Sequence, residues 1–258
     1  MSDEPSLNMA QIGAVVTLTL NRPEQLNALD TEMASLLLDK IEITSKNTSA
    51  RLVILRAEGR SFCAGGDVAA MYANRNNIAT FIENTINPFH ACVLGLQRLR
   101  LPVIASVQGP VAGGGFSLAM ACDLVVATRS ARFVVAYSKL GAPADGGLSF
   151  FLVQRLGNAR ALDALTTGGQ FTSEQALQRG LINRVVDDDR LQEETNAWGT
   201  QLLTLTDQSL RELKGLVTAQ SIPALEAHLE REKAAFLRCA VTTDFQTRVA
   251  SFAKKQSI

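Results

Sequence analysis

Two stretches of this sequence place glycines where a β-strand should hand over to a helix. In the first, the apolar run Leu52 to Arg56 leads into Gly59-Arg60-Ser61-Phe62-Cys63-Ala64-Gly65-Gly66-Asp67. In the second, the β-branched run Val103 to Val107, bounded by Pro102 and Gly109, leads into Gly113-Gly114-Gly115 and then a small-residue stretch to Cys122. Glycine lets the backbone approach a ligand closely, and free N–H groups at a helix start, reinforced by the helix dipole, attract negative charge. One such junction alone reads equally well as a turn that lets two elements pack. Neither stretch matches a phosphate-binding pattern, since G-x-x-x-x-G-K-[ST] and G-x-G-x-x-G are both missing. Two separate strand ends that each offer an amide are instead what an oxyanion hole requires. There, donors fixed before the charge develops are worth about 10²- to 10³-fold in rate each.

The elements that must position these junctions are legible in the periodicity. Val15 to Leu20 alternates as a strand, and Asn8 to Gln11 can pair with it across Gly13. Asp30 is placed to cap a helix from Thr31 to Lys46, and Asp67 to cap the helix after the first junction. A long helix is predicted over Ile78 to Leu99, and short strands over Leu124 to Ala127, Phe133 to Val135 and Ile182 to Val186. Gly146-Gly147 should lead into a helix ending near Gly157, and Thr172-Ser173-Glu174-Gln175 has the capping-box pattern for a helix that Gly180 stops. Beyond Asp189 only helices are expected: Leu191 to Leu203, Ser209 to Ala219 behind an Asp207 cap, Ala224 to Cys239, and Asp244 to Lys254. Leu225, Leu229 and Phe236 share a face in the third of these, which marks packing against a subunit or domain. The expected organisation is an α/β body over residues 1–190 and a helical region over residues 191–258.

Composition narrows the classes. At 47% hydrophobic and 19% charged residues the chain is ordinary for a globular protein, and 25 basic residues balance 25 acidic ones. No basic field recommends nucleic acid or an anionic membrane as a partner. The acidic, polar N-terminus MSDEPSLNMAQ does not read as a signal peptide, so a cytoplasmic location is expected. Cys63, Cys92, Cys122 and Cys239 form no C-x-x-C pair, and His90 and His228 are the only histidines, so neither a metal site nor a disulfide framework is suggested.

Taken together, several motifs resemble those of the crotonase family, the enoyl-CoA hydratases and isomerases. They are Asn21-Arg22-Pro23 with Asn27-Ala28-Leu29, Phe62 to Asp67, Pro102 to Ala105 with Gly113-Gly114-Gly115, Ala121-Cys122-Asp123, Phe133 to Gly147, and Gly180-Leu181 before Val185-Val186. The likeness spans residues 10–190 in order, and more loosely the helical tail. It implies a crotonase spiral of strand-strand-helix turns with a C-terminal helical trimerisation region, assembling as a homotrimer or a hexamer of paired trimers. It also implies a coenzyme A thioester as substrate, with no further cofactor. The thioester oxygen would be held by the backbone N–H groups of Gly66 and Gly114. The coenzyme A arm would pass Leu26 to Ala28 and Ala64, Gly65, Gly66, Asp67 and Val68. Phe89, His90 and Tyr137 would face the acyl group.

Within that likeness the chain departs from the hydratases, which carry one glutamate where Ser117 stands and another where Tyr137 stands. Two-base addition of water to a double bond then lacks its acid and base. The remaining carboxylate is Asp145, in Gly141-Ala142-Pro143-Ala144-Asp145-Gly146-Gly147, which resembles the aspartate of the phenylacetate-pathway isomerases. A single carboxylate suffices to move a double bond. The alternatives are that Asp145 merely caps the helix after Gly146, that His90 is an ordinary helix histidine, that Tyr137 only walls the pocket and that Ser117 only fills space. Rival activities are a hydratase-type lyase, an aryl-CoA dehalogenase using Asp145 and His90, and a non-catalytic acyl-CoA binder.

Overall fold

The computed structural model describes residues 5–256; the first acidic residues of the N-terminal stretch lie outside the described residues. A six-stranded sheet forms the body. Its strands are β1 (Leu7–Ile12), β2 (Val15–Leu20), β3 (Leu52–Ala57), β4 (Val103–Val107), β6 (Leu124–Thr128) and β9 (Arg184–Val186), side by side in that order. Only β1 and β2 are antiparallel; the other neighbours run parallel. Every residue of β4 is buried, which is why it reads as an unbroken apolar run instead of an alternating one. A second sheet of three short strands, β5 (Pro110–Ala112), β7 (Arg132–Val134) and β8 (Gln170–Thr172), stands apart from the first.

The helices follow the caps. Asp30 accepts the Met33 N–H to start α1 (Thr31–Ser45), and Asp67 accepts the Ala70 N–H to start α2 (Val68–Ala73). Next come α3 (Ile78–Arg98), which runs through Pro88, then α4 (Gly114–Ala121), α5 (Leu148–Leu156), α6 (Asn158–Thr167) and α7 (Ser173–Gln178), the last opened by the complete capping box of Thr172 and Gln175. The C-terminal helices are α8 (Leu191–Leu203), α9 (Asp207–Thr218), α10 (Ile222–Ala240) and α11 (Thr243–Gln256).

Successive turns of the chain repeat one pattern. A strand of the large sheet is followed by a strand or bridge at the small sheet and then by a helix: β3, the Cys63–Val111 bridge, α2 and α3; β4, β5, α4; β6, β7, α5. This is the expected spiral. It stacks the two glycine junctions in consecutive turns, on the same side of the body.

Three local expectations change. The helix after the second junction begins two residues before Phe116, at Gly114, so that glycine is its first residue and Gly113, at φ +49°, precedes it. Thr206, not Asp207, caps α9 through its hydroxyl on the Ser209 N–H. The strands β5 and β8 and the helix α6 were not anticipated.

The helical tail packs back onto the body. Leu225, Leu229 and Phe236 of α10 and Phe245 and Val249 of α11 belong to the same buried cluster as Phe89 and Val93 of α3. Burying each such side chain stabilises by about 1.5–3 kcal/mol, so α10 is firmly seated beside the site. α9 is fixed differently: Lys214 reaches the Leu96 and Leu101 carbonyls and stands 2.8 Å from the Asp123 carboxylate.

Candidate active site

The segments of the two junctions lie edge to edge. Ala112 donates its N–H to the Cys63 carbonyl and Cys63 donates to the Pro110 carbonyl, so residues 63–66 run alongside residues 110–114. On its other edge the first segment pairs with residues 26–29: Ala64 N–H donates to Leu26 O, Leu29 N–H to Gly65 O at 2.7 Å, and Asp67 N–H to Leu29 O at 2.9 Å. In a parallel bridge of this kind the residue opposite Leu29, which is Gly66, turns its own N–H away from that partner. The Gly66 amide therefore faces the side on which β5 and α4 lie. A Cβ on Gly65 would stand 3.5 Å from the Gly114 nitrogen, so the junctions are in contact. Among the described residues neither the Gly66 nor the Gly114 amide donates to a protein acceptor. The helix dipole of α4 adds its positive end at Gly114.

Arg22 ties the outer edge together. Its guanidinium donates to Ala28 O at 2.6 Å and pairs with Asp30 at 2.9 Å and Asp67 at 3.2 Å. Buried Asn27, in the left-handed region at φ +53°, accepts the Arg22 N–H and donates to Glu58 O and Ser61 O. Leu26 and Ala28 are thus held beside Ala64, Gly65, Gly66, Asp67 and Val68, the segments assigned to the coenzyme A arm. Burial pushes the Cys63 thiol up to about 12, so the cysteine next to this junction stays protonated.

Asp145 lies across from α4. Its carboxylate accepts a hydrogen bond from His90 Nε2 at 2.7 Å, and the side chains are 6% (His90) and 7% (Asp145) exposed. A carboxylate only accepts, so His90 carries its proton on Nε2; Nδ1 has no partner among the described residues. The cap reading of Asp145 does not hold, because α5 starts at Leu148 and its side chain is spent on His90. Ser117 and Tyr137 are more than filler and wall. Their hydroxyls lie 2.9 Å apart and both reach the backbone carbonyl of Asp145, at 2.6 Å and 2.9 Å. Burial, and then the charge of Asp145, push the Tyr137 phenol well above its ordinary 10.0, which keeps it a neutral donor. Phe89 fills the space between the two halves. A Cβ at Gly114 would stand 3.7 Å from its ring and one at Gly146 only 2.2 Å, so Gly146, at φ +64°, admits no side chain.

A further carboxylate completes the arrangement. Glu232 of α10, buried, accepts the Gly147 N–H at 2.6 Å and the Ser149 N–H at 3.2 Å, capping α5 from a distance and holding the turn that carries Asp145. Donor atoms of His90, Asp145 and Glu232 lie within 4.8 Å of one another. Both Glu232 oxygens accept N–H and O–H donors and His90 Nε2 is bonded to Asp145, so a metal at this spacing would have to displace hydrogen bonds already made. The sequence did carry a signal for Glu232: it falls on the apolar face of Leu225, Leu229 and Phe236, where a charge needs a reason.

Residues 11–258 match the model of the enoyl-CoA hydratase/isomerase family. The chain belongs to that family. It is 34% identical to the 1,2-epoxyphenylacetyl-CoA isomerase of Escherichia coli strain K12, over 94% of this chain and 93% of that one. It is 31% identical to a probable enoyl-CoA hydratase, echA12, of Mycobacterium bovis, over 94% and 88%. Among solved structures, an enoyl-CoA hydratase from Bacillus halodurans superimposes with a TM-score of 0.90 at 25% identity, covering 95% of this chain and 99% of that one. An enoyl-CoA hydratase/isomerase from Mycobacterium paratuberculosis gives 0.90 at 28%, over 97% and 100%. The fold is the crotonase fold, and the chain is an enzyme of the enoyl-CoA hydratase/isomerase family.

Proposed function

We propose that this enzyme is an enoyl-CoA isomerase in which the Gly66 and Gly114 amides hold the thioester oxygen and Asp145 moves the proton. The observation that carries the reading is the state of the two positions where hydratases are expected to hold carboxylates. Ser117 and Tyr137 are neutral there and are spent on the Asp145 backbone, which leaves Asp145 as the carboxylate beside the Gly114 helix. With Oδ1 fixed by His90, Oδ2 takes a proton from carbon 2 of a 3-enoyl thioester. The C–H electron pair becomes the double bond of a dienolate whose negative oxygen the two amides bind. Asp145 then returns the proton at carbon 4, and the 3,4 double bond shifts to 2,3. No cofactor is needed for this sequence.

The reading is supported by the isomerase named above, the most similar of the relatives quoted. Turnover of a 3-enoyl-CoA by wild type and by Asp145→Asn tests it. A fall in kcat of about 10²- to 10⁴-fold with little change in KM is expected, and undiminished turnover would remove Asp145 from the mechanism.

His90 at 2.7 Å from Asp145 also favours a second reading, an aryl-CoA dehalogenase. There the carboxylate would displace halide from the ring, and a water deprotonated by His90 would hydrolyse the resulting ester, restoring the carboxylate. An ester trapped on Asp145 and found by mass spectrometry would choose it. For assembly, the exposed Leu213, Leu216 and Val217 of α9 support a trimer or paired trimers, which sedimentation would read as three or six times 27.7 kDa. Among the described residues no helix is long and apolar enough to cross a membrane.

A further inference from the structure

His228, Ser149 and Glu232 form a hydrogen-bonded chain that begins at a surface cleft and ends beside Asp145. The cleft, of about 360 Å³, is walled by Pro143, Ala144, Leu165, Thr166, His228 and Arg231. Arg231 Nη2 stands 3.2 Å from His228 Nδ1; a guanidinium only donates, so Nδ1 accepts and Nε2 carries the imidazole proton. That Nε2–H donates to Ser149 Oγ at 2.6 Å, and the single serine proton goes on to Glu232 Oε1. Every donor in the chain thus points inward, from a half-exposed histidine to a buried carboxylate. An oxygen of Glu232 lies within 4.8 Å of an Asp145 carboxylate oxygen and a His90 ring nitrogen, a span that one water can bridge with two hydrogen bonds. Capping α5 requires only the Glu232 contacts to backbone amides; the links from Ser149 to His228 add nothing to that cap.

We propose that His228, Ser149 and Glu232 are a proton path between the cleft and Asp145, by which the proton on the base exchanges with solvent during turnover. The proposal rests on the reading of Asp145 as the group that takes a proton from the acyl chain. When the exposed Arg231 swings off His228 Nδ1, a solvent proton adds there as the Nε2 proton leaves for Ser149 Oγ, whose own proton passes to Glu232 Oε1. The neutral Glu232 carboxyl then gives a proton to a bridging water, which passes one of its own to ionised Asp145. The same moves reversed carry outward the proton that Asp145 took from substrate. The isomerase reaction itself does not need this path, because one carboxylate can return the proton it removed.

The test measures two rates in deuterium oxide. One is isomerisation of a 3-enoyl-CoA. The other is hydrogen exchange at the α-carbon of phenylacetyl-CoA, which is acidified by both ring and thioester and has no double bond to move. Ser149→Ala keeps the backbone N–H that Glu232 accepts and removes only the hydroxyl link. Exchange should fall by about tenfold or more in this variant, while isomerisation falls by less than about threefold. Ser149→Thr, which keeps a hydroxyl, should restore exchange. An unchanged ratio of exchange to isomerisation in Ser149→Ala, or no restoration by threonine, would overturn the path. If wild type exchanges but does not isomerise, the isomerase reading falls and Ser149→Ala still decides the path by exchange alone. If wild type does neither, both readings fall.

Discussion

The two amides at the centre of the site are held by opposite means. Gly114 opens α4, every residue of which is buried, so its position is set by the hydrophobic core. Gly66 is half-buried and forms the bridge to Leu29, and its position is set at the edge by a polar clamp of Arg22 with Asp30, Asp67 and the Ala28 carbonyl. One donor cannot shift unless the protein begins to unfold. The other can be loosened while the fold stays intact. The Gly66 side is therefore where geometry can be tuned, and the Gly114 side is where it is anchored.

The sharpest way to break this contrast is at Gly115, the residue on which α4 rests against the first junction. A Cβ there would lie 2.2 Å from the Cys63 carbonyl oxygen. Gly115→Val should cost about 3 kcal/mol or more and be seen as a collapse in Tm or in folded yield; a variant that melts like wild type would show that the core does not anchor the Gly114 donor. At the other junction, Arg22→Met should lower kcat/KM for an enoyl-CoA by about tenfold, roughly the worth of one imperfectly aimed donor, with Tm within a few degrees of wild type. If its Tm falls as far as that of Gly115→Val, the two regions are not held differently.

A smaller effect separates the hydroxyl pair from both junctions. The Tyr137 phenol is raised in the folded state by burial, so its stabilising contribution is complete below the unfolded value of 10.0 and is lost as pH rises toward the folded one. Denaturation followed from pH 8 to pH 11, a window chosen around that value, should show stability falling more steeply in wild type than in Tyr137→Phe above about pH 10. Parallel curves would mean that the phenol ionises as easily in the folded chain as in the unfolded one.

What could be read from the sequence follows the same division between local and distant. The glycine junctions and the caps at Asp30, Asp67 and Thr172 are contiguous motifs whose physics acts within a few residues, and the structure contains each of them. The side-chain half of the site is assembled across the chain. His90 meets Asp145 over 55 positions and Glu232 meets Gly147 over 85, and no local rule announces either contact. Asp145 shows the cost of local reasoning. An aspartate before Gly146-Gly147 resembles a helix cap, yet the N–H groups at the start of α5 are met by Glu232, which frees Asp145 for His90. Thr206 and Asp207 are both good caps, and a shift of one residue in the helix start decides between them.

The central claim is that two backbone amides meet one thioester oxygen while Asp145 faces the adjoining carbons. A crystal structure with bound phenylacetyl-CoA tests it directly. The thioester oxygen should lie about 2.7–3.1 Å from both the Gly66 and Gly114 nitrogens, with the α-carbon about 3–3.5 Å from Asp145. A thioester oxygen bonded elsewhere, or an acyl chain whose carbons lie out of reach of Asp145, would contradict the account.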